Sequence, residues 1–137
     1  ENPVFYVQYA HARVHSVLRK AEAAGIDISD AALSGADLSG LTHEAELALA
    51  RKIAEWPRQV EAAAEAEEPH RIAYYLYETA SDFHALWTKG KEDVTLRFIQ
   101  ADDPARTMAR LALVEALRTV IASGLDVFGV TPVEELH

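Results

Sequence analysis

The stretch NPVFYVQYAHARVHSVLRKA, from Asn2 to Ala21, decides the fold class. Asn2 offers an N-cap oxygen, and Pro3 falls at the first helical position, where a missing N–H costs nothing. Gly25 supplies a stop, so the spacing predicts a helix from Pro3 to about Ala24. At about 100° per residue, Val4, Val7, His11, Val14 and Leu18 share one side, which must pack. Tyr6, Tyr9, Arg13 and Lys20 line an adjacent strip. Aromatic faces beside cationic donors suit an unpaired nucleic-acid strand. On spacing alone, the reading to prefer is that the tyrosines are amphipathic residues at the edge of a core.

Downstream, residues 26–41 (IDISDAALSGADLSGL) read as a long loop with room for one helical turn around Ala31 to Leu33. A second helix should begin at Thr42, its Leu49, Ile53, Trp56 and Val60 continuing across Pro57 with a kink. Pro69 opens a third, carrying Ile72, Leu76, Phe83 and Trp87 on one face and closing at Gly90. Opposite that face lie Tyr74, Tyr77, Ser81, His84 and Thr88, a strip able to meet solvent, another domain or RNA. Asp103-Pro104 starts a last helix that ends near Gly124, apolar around most of its circumference, with Arg106, Arg110 and Arg118 as its wet stripe. The tail should fold back through Val127, Phe128 and Val130. These elements predict an all-α bundle of four or five helices, one domain spanning 1–137.

Composition agrees and excludes much. Alanine contributes 25 of 137 residues and glycine only 6, which favours helix throughout. With no cysteine, disulfides, thiolate metal sites and cysteine nucleophiles are out, and a cytoplasmic protein is the default expectation. No run approaches the ~20 apolar residues of a membrane span. The chain does not begin with methionine, which suggests a piece of a longer protein. Net charge is −9, against a stand-alone binder of DNA or RNA. The acidity is uneven, however: residues 25–68 carry −7, whereas 1–24 and 69–91 each carry +1. Glu61, Glu65, Glu67 and Glu68 thus read as a solvated face that repels RNA.

Catalytic and metal chemistry find little support. His11 and His15 have the spacing to share a metal, but Arg13 lies between them and no zinc-protease glutamate follows His11. The sequence contains no Gly-rich phosphate loop and no nucleophile with an evident base. A helical protein-interaction module, docking through Tyr74, Tyr77 and His84, is the alternative to RNA binding.

The string from Asn2 to Ala21 resembles the start of the DALR-type anticodon-binding domain of arginyl-tRNA synthetases. The resemblance extends in order through RIAYYLYETASDFHALWTKGK (Arg71 to Lys91), ARLALVEALRTVIASGLDVFGV and the closing TPVEEL. A related fold occurs in cysteinyl-tRNA synthetases, but YVQYAHAR (Tyr6 to Arg13) points to the arginine family. The resemblance implies an all-α C-terminal domain of a class I synthetase that binds the anticodon stem-loop of arginine tRNA. It implies contacts from Tyr6, Tyr9 and Arg13, with Tyr77, His84 and Trp87 on the second contributing helix. Family members commonly end on a methionine near the anticodon pocket, and this chain has Leu136 followed by His137 there. No cofactor is expected in this fragment: ATP with Mg would act in a separate catalytic domain, the chain's own partner in the intact enzyme.

Overall fold

The computed structural model describes residues 3–135. Six α-helices follow one another: α1 (Pro3–Ala23), α2 (Asp30–Ser34), α3 (Glu44–Ala54), α4 (Trp56–Ala66), α5 (His70–Glu92) and α6 (Pro104–Val127). Short 3₁₀ turns occur at Leu38–Gly40 and Val94–Leu96. Among the described residues there is no strand. The all-α bundle is as expected, with two helices more than the four long ones counted from the sequence: the suspected turn is α2, and the second helix is divided.

Asn2 lies outside the described residues, but the end of α1 follows the expected chemistry. Gly25 takes φ +85°, and the Ile26 N–H reaches back to the Ala21 carbonyl at 3.0 Å. The division of the second helix corrects the expected kink. The helix stops at Ala54, Glu55 forms a one-residue joint at φ −75°, ψ −13°, and α4 restarts with Pro57 in its first turn. Proline cannot donate to the carbonyl four residues back and its ring crowds it, whereas the first turn of a helix tolerates it. The start of α3 is also set by a side chain other than Thr42. His43 Nδ1 accepts the Ala45 N–H at 3.0 Å and Glu46 Oε1 accepts the His43 N–H at 3.1 Å, a reciprocal cap.

The three long helices form the centre, with α1 packed on both α5 and α6. α3 bridges α5 and α6, and α4 lies on α5. Leu111, Val114, Leu117 and Ile121 of α6 are all at 0 % exposure, as a helix apolar nearly all round requires. Two glycines expected as helix stops instead lie inside helices. Gly124 is buried in α6, where a Cβ would sit 2.6 Å from Leu76 Cδ2 of α5. Gly90 is buried in α5, where a Cβ would come within 3.4 Å of the Arg97 backbone. At Gly124 close packing demands the missing side chain, and sequence reading takes both glycines for termination.

Arg110 corrects the expected wet stripe. It is buried, with Nε donating to Glu46 Oε2 at 2.6 Å and Nη1 to the Thr95 and Arg97 carbonyls at 2.9 and 2.7 Å. One guanidinium thus fastens α3, α6 and the connection that follows α5. Arg106 and Arg118 remain partly exposed, each beside an acid three residues earlier on its own helix. The tail also differs from expectation. Val130 packs on the core, but Val127 and Phe128 stay exposed. Beyond them the chain runs along α1: Gln8 donates to the Thr131 carbonyl at 2.9 Å and accepts from the Val133 N–H at 2.8 Å.

Candidate nucleic-acid interface

The two strips singled out on α1 and α5 converge. α1 buries Val7, Val14 and Leu18, which rotates Tyr6, Tyr9 and Arg13 toward the flank where α5 crosses. From α5, Tyr77, His84 and Trp87 meet them. Tyr6 stands between two α5 rings, 4.9 Å from Tyr77 and 4.7 Å from His84 by centroid. Tyr9 meets His84 edge-on at 5.3 Å.

Arg13 is the hub of this arrangement. Its guanidinium carbon lies 3.7 Å from the Trp87 ring centroid and 4.6 Å from that of Tyr9. Nη2 donates to the Tyr9 hydroxyl at 3.0 Å, and Nη1 donates to His84 Nδ1 at 2.9 Å. No carboxylate lies within ion-pair distance of it among the described residues, so neutral partners orient its charge, while Glu134 and Glu135 line the open pocket it shares with Lys20. Such an arginine keeps its planar fork fixed while its field acts outward.

Burial, with Arg13 adding to it, drives the His84 imidazole down to a pKa of about 4, against a weaker opposing influence from the Tyr6 backbone. The ring is therefore neutral near pH 7. Because arginine only donates, Nδ1 must be the acceptor, which puts the proton on Nε2. That Nε2 is buried and has no hydrogen-bond partner of ordinary geometry. His84 thus belongs to the contact between the helices, which takes it off the outward strip expected for protein docking. Tyr74 does point out, at 70 % exposure, and shares an open groove with Pro3, Tyr6, His70 and Tyr77.

All six described candidates, Tyr6, Tyr9, Arg13, Tyr77, His84 and Trp87, therefore occupy one contiguous patch. Leu136 lies outside the described residues. The cations near the patch that sequence reading did not single out are Lys91, whose Nζ sits 4.4 Å from the Trp87 centroid, and Arg19, paired with Glu135 at 2.9 Å. The spacing Trp87 to Lys91, one helical turn, was the available signal for the first. Glu61, Glu65 and Glu67 are exposed on α4 and the turn after it, on elements other than those that carry the patch.

The two histidines considered for a metal are engaged separately. His11 Nδ1 donates to the Val133 carbonyl at 2.6 Å, while His15 Nε2 lies 3.8 Å from Glu134. Burial lowers the His11 pKa, and the bond to Val133 works against that. Among the described residues no helix is long and apolar enough to cross a membrane.

Comparison with known proteins identifies the family. The family model described as the DALR anticodon binding domain matches residues 7–136. The arginine–tRNA ligase of Ruegeria pomeroyi is 62% identical over 137 residues, covering 100% of this chain and 24% of that protein. That of Paracoccus denitrificans is 57% identical over 137 residues, again covering 100% of this chain and 24% of the relative. A crystal structure described as an arginyl-tRNA synthetase from Campylobacter jejuni superposes with a TM-score of 0.79 at 24% identity, covering 98% of this chain and 27% of that one. The chain therefore spans about a quarter of the length of the curated relatives it matches.

Proposed function

Because the chain belongs to the DALR anticodon binding domain family, we propose that it is the C-terminal domain of an arginine–tRNA ligase and reads the anticodon stem-loop of arginine tRNA. The observation that carries this reading is the Arg13 guanidinium, held among Tyr9, His84 and Trp87. Unpaired loop bases would be splayed onto the exposed tyrosine faces, with Arg13 donating to a base edge or to the phosphate beside it. Each stacked base contributes roughly 1 to 3 kcal/mol when its platform is truncated. The central cytosine shared by arginine anticodons is the base this patch would hold, with Leu136 adding a contact from the chain's end.

The domain itself performs no chemistry in this reading. Activation of arginine with ATP and Mg, and transfer to the tRNA, would belong to a catalytic domain outside this chain, in a cytoplasmic enzyme. With a net charge of −9, the domain alone should bind RNA weakly, other domains supplying much of the affinity.

The deciding experiment is an NMR titration of the labelled domain with an arginine anticodon stem-loop, and with one whose central cytosine is replaced. Shifts at Tyr6, Tyr9 and Arg13 that vanish with the altered loop are expected. Absence of shifts with either RNA, from a folded sample at high concentration, would overturn the reading.

A further inference from the structure

Next to the Arg13 patch, across Trp87, a cavity of about 310 Å³ opens between the C-terminal halves of α1 and α5 and the connection after α5. Its floor is apolar, formed by Val17, Phe98 and Ile99, and Trp87 forms one wall. Its ionisable lining residues are Lys20, Lys91 and Arg97, all cations. Among the described residues none of the three is in an ion pair. In a chain of charge −9, a concave apolar site rimmed by three cations and no acid is built for a ligand that is flat and apolar at one end and anionic at the other.

The wall of this cavity is held rigidly. Gly90 has no side chain, so Arg97 passes close to α5 and donates through Nε to the Gly90 carbonyl at 2.9 Å. Gln100 Nε2 fastens the Val94 and Arg97 carbonyls at 2.7 and 3.0 Å. The buried Arg110 holds the Thr95 and Arg97 carbonyls from behind. A connection restrained at this many backbone groups keeps its shape before any ligand arrives, which lowers the entropic cost of binding.

We propose that this cavity is a second nucleotide subsite, which takes an unpaired nucleotide neighbouring those held on the Arg13 patch. This rests on the anticodon-loop reading above and adds to it an adjoining site, which shares Val17, Lys20 and Trp87 with the pocket around Arg13 and has Lys91, Arg97, Phe98 and Ile99 to itself. The base would lie against Trp87 over Val17 and Ile99, in the position where the Lys91 ammonium now sits at 4.4 Å from the ring centroid. Lys91 then turns on its flexible stem to the phosphate, which Lys20 and Arg97 flank. Trp87 becomes the partition between two sites, with Arg13 stacked on it from the first.

The test uses the 137-residue chain with methyl and aromatic labels and the arginine anticodon stem-loop as probe, at low salt. Tyr6 and His84 report the first site, Phe98 and Ile99 the second. In the unaltered chain both sets should shift. In Lys20→Ala/Lys91→Ala, whose exposed positions leave the melting temperature unchanged, the Phe98 and Ile99 shifts should disappear while those of Tyr6 and His84 persist. Affinity should fall about tenfold, and the slope of log K against log salt should shrink by roughly 0.7, the counterion release of the one phosphate that both lysines contact on a single strand. If Tyr6 and His84 shift but Phe98 and Ile99 do not, the subsite is refuted and the anticodon reading survives. If the double variant weakens both sets of shifts equally, the lysines act only as diffuse charge and the subsite is again refuted. If neither set shifts in the unaltered chain, both readings fall.

Discussion

Arg13 of α1 donates through Nη1 to Nδ1 of His84 on α5, at 2.9 Å, so a permanent cation is anchored by an imidazole that must remain neutral to accept it. The relationship has a pH consequence. The folded-state pKa of His84 is lowered from 6.5 to about 4, by burial first and by Arg13 second. Between those two values the unfolded chain takes up a proton that the native chain refuses. The contribution is thus fully present above about pH 6.5 and is lost as pH falls toward 4. Urea unfolding at pH 7.5 and at pH 4.5 should show a loss of stability that is smaller in His84→Gln, which keeps an acceptor but does not titrate. His11, lowered in the same direction, leaves a residual slope. An NMR titration placing the His84 midpoint near 6.5 would refute the neutral-anchor assignment.

Replacing Arg13 by lysine should be nearly as damaging to RNA binding as replacing it by alanine. A lysine ammonium cannot stack flat on Trp87 while donating to both Tyr9 and His84. The fold should tolerate either change, because a partly exposed cation-π contact contributes about 0.5 to 1 kcal/mol. The same holds for Tyr9→Ala, since Tyr9 is 45 % exposed. Calorimetry beside an RNA titration checks this. If these variants unfold, the strip is core and its place in the RNA proposal is lost.

The buried pair of Glu46 and Arg110 makes a different prediction. Both side chains are at 3 % exposure or less, so Arg110→Met leaves an uncompensated carboxylate and should cost about 3 to 5 kcal/mol in urea unfolding. Glu46→Leu/Arg110→Met removes both charges and should recover a large part of that loss. It should remain below the unaltered chain, because Glu46 also caps α3 and Arg110 holds two carbonyls of the connection. A double variant as unstable as Arg110→Met would show that the stranded charge is not the main cost.

These residues also mark where sequence reading succeeds and where it stops. The α1 and α5 strips are legible because a helix fixes side-chain direction: once Val7 and Val14 on one helix and Ile72 and Phe83 on the other are buried, Tyr6, Tyr9, Tyr77 and His84 follow from rotation alone. That both strips face each other depends on how α1 crosses α5, which spacing on either helix does not contain. Arg110 reads as solvated in the sequence because an arginine among leucines on α6 looks like the polar stripe. Its partner Glu46 lies 64 residues away, beyond any local pattern. Gly90 and Gly124 read as stops because sequence shows only the absence of a Cβ, which serves helix interiors packed against a neighbour as well as termination.

Gly124 and Glu67 allow that ambiguity to be measured in opposite directions. Gly124→Ala gains about 1 kcal/mol of helix propensity, but the new Cβ falls 2.6 Å from a Leu76 methyl that is itself buried. Overpacking costs about 1 to 3 kcal/mol, so the net effect should be destabilising, and Leu76→Ala should cost less in the Gly124→Ala background than alone. Glu67, by contrast, closes α4 at φ 55°, ψ 42°, a left-handed conformation that is unfavourable for a residue with a Cβ. Glu67→Gly should stabilise the chain by about 1 kcal/mol. Thermal unfolding of the two variants with opposite signs is the expected result; stabilisation by Gly124→Ala would mean Leu76 can move aside.

The chain's last described residues give the final prediction. From Thr131 to Glu135 the backbone follows α1 in the helix's own direction, contacting Gln8, His11, His15 and Arg19 in turn. The ion pairs at the far end are exposed and contribute little. The bonds to Gln8 and His11 at 2.6 to 2.9 Å contribute about 1 kcal/mol each. Truncation after Val130 should therefore lower stability by about 2 to 3 kcal/mol. It should also move the His11 titration upward toward 6.5, because burial, the largest cause of its lowered pKa, outweighs the opposing bond to Val133 that is lost with it. The two readouts separate the causes. A loss of stability with an unchanged His11 midpoint would mean that α1 and its helical neighbours, and not the tail, desolvate this ring.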